Sequence, residues 1–141
     1  LFEYLCNMVD FYYPPRIWLA FGEGVKGNQD VVGWLLKNGY PEVAALAHAV
    51  RGSEEATSWL FKNKFYHLAA LDAAIDENMK ACEWLQRNNH PFLLVFADAC
   101  RGKQPAIDWF LKHNLETFVA IARQIKHLRD NTTFDYHRKK F

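Results

Sequence analysis

Apolar residues recur along the chain at the spacing of an α-helix. From Pro41 to Gly52 they lie at positions i, i+3, i+4 and i+7, which places them on one helical face. The same pattern returns three more times at intervals of 25 residues. The four sets are Val43, Leu46, Ala47 and Val50; Leu68, Leu71, Asp72 and Ile75; Leu93, Phe96, Ala97 and Cys100; and Phe118, Ile121, Ala122 and Ile125. These segments predict four helices with a buried face, in which Asp72 is the single polar residue.

A second helix is predicted between these segments, and a tryptophan marks each copy. The four tryptophans are also 25 residues apart, at Trp34, Trp59, Trp84 and Trp109. In the third copy, Ala81, Trp84 and Leu85 occupy positions i, i+3 and i+4 and therefore share a face. Because large aromatic side chains dominate core packing, we expect the indole and the neighbouring leucine to point together into the core.

The residues at the predicted helix ends have the chemistry that helix ends require. Pro41 and Pro91 stand in a first turn, where a missing N–H costs nothing. The predicted stops are glycines, at Gly27, Gly52 and Gly102, and the predicted N-caps that follow are Asn28, Ser53 and Asn78. The tryptophan helices are expected to stop at asparagines in the left-handed conformation, at Asn38, Asn63 and Asn88.

A fixed period of this length is typical of stacked repeats, in which each unit buries its apolar face against the next. The predicted fold is all-α, a solenoid of about four to five antiparallel helix pairs, with an elongated, curved shape and one long groove. We expect a single domain over residues 1–141. It divides into an irregular first unit (1–33), repeats 34–58, 59–83, 84–108 and 109–126, and a C-terminal cap and tail (127–141).

The segment from Gly27 to Tyr40 resembles the second helix of an ankyrin repeat, with its glycine, polar cap, acidic residue, aliphatic pair and closing glycine. The ankyrin period is about 33 residues. The shorter period here would correspond to an ankyrin-like array without the β-hairpin fingers. The resemblance implies a protein-binding scaffold whose partner lies along the first helices of the pairs, without a cofactor.

Composition and charge favour a folded, soluble chain. Half of the 141 residues are hydrophobic and the formal net charge is +1, although residues from Ile121 onward carry six cations and two carboxylates. No apolar run reaches the ~20 residues of a membrane helix, and no leader with a cleavage site precedes the repeats. Three cysteines without a Cys-x-x-Cys pair favour a reducing compartment. We expect an intracellular, cytoplasmic protein that does not bind membranes.

The chain carries no catalytic or metal-binding motif. A Gly-x-Ser-x-Gly turn and a phosphate-binding loop are both missing from the sequence. The six histidines do not have the spacing of zinc ligands. We therefore predict a protein that is not an enzyme, with no catalytic residue, no metal and no cofactor.

The candidate binding residues are charged or polar side chains on the predicted groove-lining helices, opposite their apolar faces. They are His48, Arg51, Asp76, Asp98, Arg101 and Arg123. Arginines in such a groove suit carboxylates on a protein partner. A solvated surface with salt bridges between units explains this set of residues equally well. The alternative partner is a nucleic acid, which the groove arginines and the C-terminal cations Arg138, Lys139 and Lys140 would bind. The sequence leaves the oligomeric state open.

Overall fold

The computed structural model describes residues 12–131, and all regular secondary structure in that range is α-helical. The helices are α1 (Pro15–Val25), α2 (Gln29–Lys37), α3 (Pro41–Val50), α4 (Glu54–Lys62), α5 (Tyr66–Ile75), α6 (Met79–Arg87), α7 (Pro91–Cys100), α8 (Gln104–Lys112) and α9 (Glu116–Asp130). None of them is long and apolar enough to cross a membrane. The all-α fold and its helical solenoid architecture are confirmed.

The odd-numbered helices form an inner layer and the even-numbered helices an outer one. Consecutive inner helices pack on one another, and each outer helix packs between the two inner helices that flank it in sequence. The inner helices are apolar on nearly all sides: every residue of α5 from Leu68 to Ile75 is buried. An outer helix such as α6 buries only Ala81 and Leu85. This difference is expected for a helix enclosed by others and a helix with one covered face.

The predicted N-caps are confirmed. The side chains of Asn28, Ser53 and Asn78 accept hydrogen bonds from backbone N–H groups three residues later, at 3.3, 3.1 and 3.0 Å. Pro41 and Pro91 stand at the first residues of α3 and α7. These caps fix where each helix begins, and so set the register of the repeat.

The asparagines at the outer-helix ends act differently from the prediction. Asn38, Asn63 and Asn88 have φ angles of −103°, −96° and −96°, which are not left-handed. Each Nδ2 instead donates to the carbonyl of the tryptophan four residues earlier, at 2.7–2.9 Å. The left-handed conformation falls on the next residue, at Gly39, Lys64 and Asn89. The amide thus adds a second hydrogen bond to a carbonyl that already accepts the backbone N–H of the same asparagine.

The inner helices close into a ring. The first inner helix, α1, packs against the last, α9. A Cβ on Gly22 of α1 would lie 3.1 Å from Ile121 of α9, so glycine permits this close approach. Trp18 fills the space between them, with its ring centroid 5.3 Å from that of Phe118 and 5.8 Å from that of Phe96. The long groove expected along the inner helices is therefore absent from the described part of the molecule, because the inner side chains pack on one another.

The tryptophan column is less buried than predicted. Leu35, Leu60, Leu85 and Phe110 are fully buried as expected, but Trp34 is 42% exposed. Trp59, Trp84 and Trp109 are half-buried. Two of these indoles stack on the residue that precedes the next inner helix: Trp59 on Phe65 at 5.8 Å, and Trp84 on His90 at 5.6 Å. The tryptophans lie at the edges of the outer helices, and the leucines lie in the core.

Some predictions fall on residues 1–11 and 132–141, outside the described residues. They are the beginning of the irregular first unit, the state of Cys6, and the cations Arg138, Lys139 and Lys140. Cys82 and Cys100 lie within the described range and are free thiols.

Candidate interaction surface

The inner helices run in the same direction, so their C-terminal ends meet at one end of the ring. We call this the C-terminal end surface, formed by residues 24–28, 49–53, 74–78, 99–103 and 123–131. Two hydrogen bonds join neighbouring helices there. Arg51 Nη1 donates to the carbonyl of Val25 at 2.7 Å, and Arg101 Nη1 donates to that of Ala74 at 2.6 Å. Each arginine therefore links its own inner helix to the preceding one.

The physical reason for these bonds is the end of the helix itself. The last four carbonyls of an α-helix have no partner within it, and the aligned peptide dipoles give that end a partial negative charge. A guanidinium placed there satisfies a carbonyl and complements the charge. Arg51 and Arg101 therefore contribute to the packing between units, whatever else they bind.

Arg101 is held by a second group. Its Nη2 lies 2.5 Å from Oδ1 of Asp98, one turn earlier on α7. The Arg101 side chain is only 11% exposed, and that of Asp98 is 33% exposed. Two predicted partner-binding residues therefore bind each other. Because the pair lies at the end of a single helix, it is not one of the salt bridges between units that the sequence left open.

Asp76 occupies the position that Arg51 and Arg101 hold in their units, and its carboxylate has no hydrogen to donate to a helix-end carbonyl. Arg129 of α9 pairs with this carboxylate instead. Its Nη1 pairs with Oδ1 of Asp76, and its Nη2 lies 3.7 Å from Oδ1 of Asp72. All three side chains are at least 93% buried. Thr57 donates to the other oxygen of Asp72 at 3.4 Å. The cluster ties the last inner helix to the middle one.

A cavity of about 270 Å³ opens on the C-terminal end surface beside this cluster. Its lining comes from the ends of α5, α7 and α9 and comprises Ile75, Asp76, Glu77, Cys100, Arg101, Lys126, Arg129 and Asp130. Burial raises the pKa of the Cys100 thiol well above its ordinary value, although the charge of Arg101 acts in the opposite direction. The thiol is therefore neutral and, with Ile75, gives the cavity an apolar wall.

Glu77, at this cavity, has a backbone conformation that glycine usually takes. Its φ angle is 64°, and the equivalent positions of the other units are glycines, Gly27, Gly52 and Gly102, with φ angles of 97°, 105° and 80°. The left-handed conformation costs a non-glycine residue roughly 1–2 kcal/mol. A strained residue at a cavity is a reason to suspect a function there.

The structure brings some of the predicted binding residues together and separates others. Asp76 and Arg101 line the cavity, and Asp98 contacts Arg101 from outside it. Arg51 binds Val25 on the other side of the ring. His48 is half-buried, Arg123 is exposed, and neither lines the cavity. The prediction omitted Glu77, Lys126, Arg129 and Asp130. Glu77 had a signal in the sequence, since it interrupts a column of glycines.

The opposite end of the ring carries an aromatic and histidine cluster. His67 and His90 stack with centroids 5.6 Å apart, and the Tyr12 hydroxyl lies 2.8 Å from His90 Nδ1. Burial lowers the pKa of both histidines, and the neighbouring His90 lowers that of His67 further. Burial also raises the pKa of Tyr12 to about 12. These groups are therefore uncharged at neutral pH, which suits packing.

Between residues 12 and 131, no three His, Cys, Asp or Glu side chains are placed to hold one metal ion. Comparison of the chain with protein-family models, curated protein sequences and solved structures gave no match.

Proposed function

We propose that this protein is a protein–protein interaction scaffold and that its partner binds the C-terminal end surface. The observation that carries the proposal is the cavity of about 270 Å³, at which Asp76 and Arg101 from the predicted binding set meet. Concave sites with a few convergent polar groups are the usual places for recognition. The proposal includes an ankyrin-like origin for the repeats, because each period of 25 residues contributes one helix pair. It assigns the protein no catalytic role and no cofactor.

The ring closure favours this surface over the inner helices. Trp18, Phe96 and Phe118 occupy the space along which a partner of an open array would lie. A partner must therefore bind at an end of the ring or on the outer helices. The C-terminal end surface offers both a cavity and exposed charges at its rim.

Helix α8 provides a matched pair of positions for the test. Lys103 and Lys112 are both exposed and lie at its two ends, Lys103 on the C-terminal end surface. A photoreactive amino acid at either position, in cells that produce the protein, should crosslink a partner from position 103 and not from 112. Equal crosslinking from both positions, or crosslinking from 112 alone, would move the binding site away from this surface.

A second candidate function is nucleic-acid binding, and one observation favours it. Every outer helix ends in an exposed cation that no carboxylate pairs with in the described part of the chain: Lys37, Lys62, Arg87 and Lys112. The helix dipole accounts for cations at these ends equally well. Anisotropy of a labelled single-stranded oligonucleotide, measured across a salt series, separates the two functions. Phosphate contacts predict binding that weakens steeply with salt and is lost in a Lys62→Glu, Arg87→Glu variant.

A further inference from the structure

Positive charge is concentrated at the end of the ring opposite the C-terminal end surface. We call this end the N-terminal end surface, formed by residues 12–17, 36–42, 61–67, 86–92 and 111–117, because the inner helices begin there and the outer helices end there. It carries six exposed cations and two carboxylates, a formal charge of +4. The rest of the described chain carries eight cations and eleven carboxylates, a formal charge of −3. The six cations are Arg16, Lys37, Lys62, Lys64, Arg87 and Lys112.

These six cations are not neutralised by neighbouring carboxylates. Within residues 12–131, none of them forms an ion pair. The two carboxylates of this surface are Glu42, which accepts a hydrogen bond from the Tyr13 hydroxyl at 2.9 Å, and the exposed Glu116. Helix dipoles largely offset one another here, because five inner helices begin and four outer helices end at this surface. The positive charge therefore comes from side chains that an anionic partner can reach.

Two of the cations have no explanation in helix stability. A cation in the last turn of an outer helix complements the helix dipole, but Arg16 stands in the first turn of α1, where the dipole opposes it. Lys64 has a φ angle of 65°. The equivalent turn positions hold residues that adopt this left-handed conformation more easily, Gly39, Asn89 and Asn114. Residues held in an unfavourable conformation are candidates for a function.

Large apolar side chains lie among these cations. Seven such side chains are exposed between residues 12 and 131, and four belong to the N-terminal end surface: Tyr12, Leu36, Tyr66 and Leu111. Leu36 and Leu111 are 55% and 41% exposed and directly precede Lys37 and Lys112. An exposed leucine beside a lysine adds nothing to a contact with phosphates of a nucleic acid. In the boundary between lipid headgroups and acyl chains, by contrast, both side chains find a favourable environment.

We propose that the N-terminal end surface binds the anionic face of a lipid bilayer. Its cations would pair with acidic headgroups, and its exposed leucines and tyrosines would enter the headgroup region. The sequence predicted no membrane binding because no apolar run is long enough to span a bilayer, and none of the described helices is. A contact at the bilayer surface depends on exposed side chains instead. It leaves the C-terminal end surface facing away from the lipid, open to a protein partner.

The probe for this surface is a vesicle of phosphatidylserine and phosphatidylcholine in equal parts, sedimented with the full chain. The protein should sediment with these vesicles and remain in solution with vesicles of phosphatidylcholine alone. Binding should weaken as salt is added, because salt screens the attraction between the cations and the headgroups. Failure to bind the anionic vesicles, or equal binding to both kinds, would overturn the proposal.

A matched pair of variants tests the cations. Lys62→Gln with Lys64→Gln should weaken vesicle binding by at least about tenfold, because each cation near an anionic membrane contributes to the attraction. Lys80→Gln with Lys103→Gln removes the same charge from exposed positions at the opposite end and should change the binding little. Equal weakening in the two variants would assign the binding to the overall charge of the protein and contradict the proposed surface. Thermal melts check that both variants fold.

A second pair of variants separates a membrane from a nucleic acid. Leu36→Ser with Leu111→Ser should weaken vesicle binding, whereas Leu19→Ser with Met79→Ser, at exposed positions elsewhere, should not. If the Leu36 and Leu111 changes had no effect while the Lys62 and Lys64 changes abolished binding to vesicles and to a labelled oligonucleotide alike, the surface would be a general polyanion site and the membrane proposal would be wrong. Crosslinking from position 103 tests the protein partner separately, so either proposal can fail alone.

Discussion

Arg129 of α9 pairs with Asp76 of α5, although three helices separate the two residues in sequence. The pair, with Asp72 behind it, links the last inner helix to the middle one. Asp76 is an exception in the repeat, because two other units place at this position an arginine that donates to a helix-end carbonyl. At Asp76 the contact to another inner helix is an ion pair instead. The last turns of α9, which is longer than the other inner helices, therefore supply the cation for an acidic residue in an earlier unit.

The first prediction concerns this pair. Arg129→Met should lower the free energy of unfolding by roughly 3–5 kcal/mol, because it leaves two carboxylates buried without their cation. Lys126→Met, which removes an exposed ion pair one turn earlier, should cost no more than about 1 kcal/mol. Urea denaturation measures both. Adding Asp72→Asn and Asp76→Asn to Arg129→Met should recover part of the loss; a loss that stays the same would assign it to packing instead of charge.

The second prediction uses the glycine column. Glu77→Gly should raise the free energy of unfolding by about 0.5–1 kcal/mol, because the relief of left-handed strain exceeds the entropy cost of glycine. Gly102→Ala should do the reverse, since its φ angle is 80° and a Cβ there would lie 2.6 Å from Lys126 Cε. Thermal and urea melts of the two variants should move in opposite directions. A destabilised Glu77→Gly variant would show that the Glu77 side chain makes a structural contact worth more than the strain.

The period and the caps could be predicted from the sequence because they are local. Helix spacing, the proline first turns and the Asn28, Ser53 and Asn78 caps depend on neighbours within one turn or two. Ring closure depends on a small rotation between successive units, which adds up until α1 contacts α9. The angle of that rotation cannot be predicted from any short segment of the sequence. The cavity was missed for the same reason: Arg129 and Asp76 meet only after the ring has closed.

The tryptophan column shows a further limit of the pattern. Spacing placed Trp84 and Leu85 on one face, but adjacent helical positions differ by about 100° around the axis. In the structure Leu85 points to the inner layer and is fully buried, whereas Trp84 lies at the edge against His90. A face defined by two neighbouring residues is too broad to separate core from edge.

The third prediction follows from that difference. Leu85→Ala should cost roughly 2–5 kcal/mol, the range for a fully buried leucine. Trp84→Ala should cost less, about 1–2 kcal/mol, because the indole is half-buried and loses mainly its stacking on His90. Denaturant melts of the two neighbours provide the comparison. A larger loss for Trp84 than for Leu85 would contradict the assignment of the indole to the edge.

The fourth prediction concerns the arginines that link the inner helices. Arg101→Met should cost roughly 1.5–3 kcal/mol, because a largely buried charged group loses both Ala74 and Asp98. Arg51→Met removes one bond from an exposed residue and should cost about 0.5–1.5 kcal/mol. Thermal melts should rank the two variants in this order. If both were neutral, the bonds to Val25 and Ala74 would not contribute to the packing between units.

The last prediction concerns pH and the histidine pair at the opposite end of the ring. Folding lowers the pKa of His67 and His90, so the unfolded chain binds protons at a higher pH than the folded one. The contribution of the neutral pair to stability is therefore complete above the ordinary histidine pKa of about 6.5 and is lost as the pH falls below it. Urea melts at a series of pH values should show stability declining through this window. His90→Phe, which reproduces the Trp59–Phe65 stack of the preceding unit, should reduce the decline, while His127→Gln on the exposed side of α9 should leave it unchanged. A decline that persists after both His67 and His90 are replaced would have to come from other groups, and the pair would then have no part in the acid sensitivity of the fold.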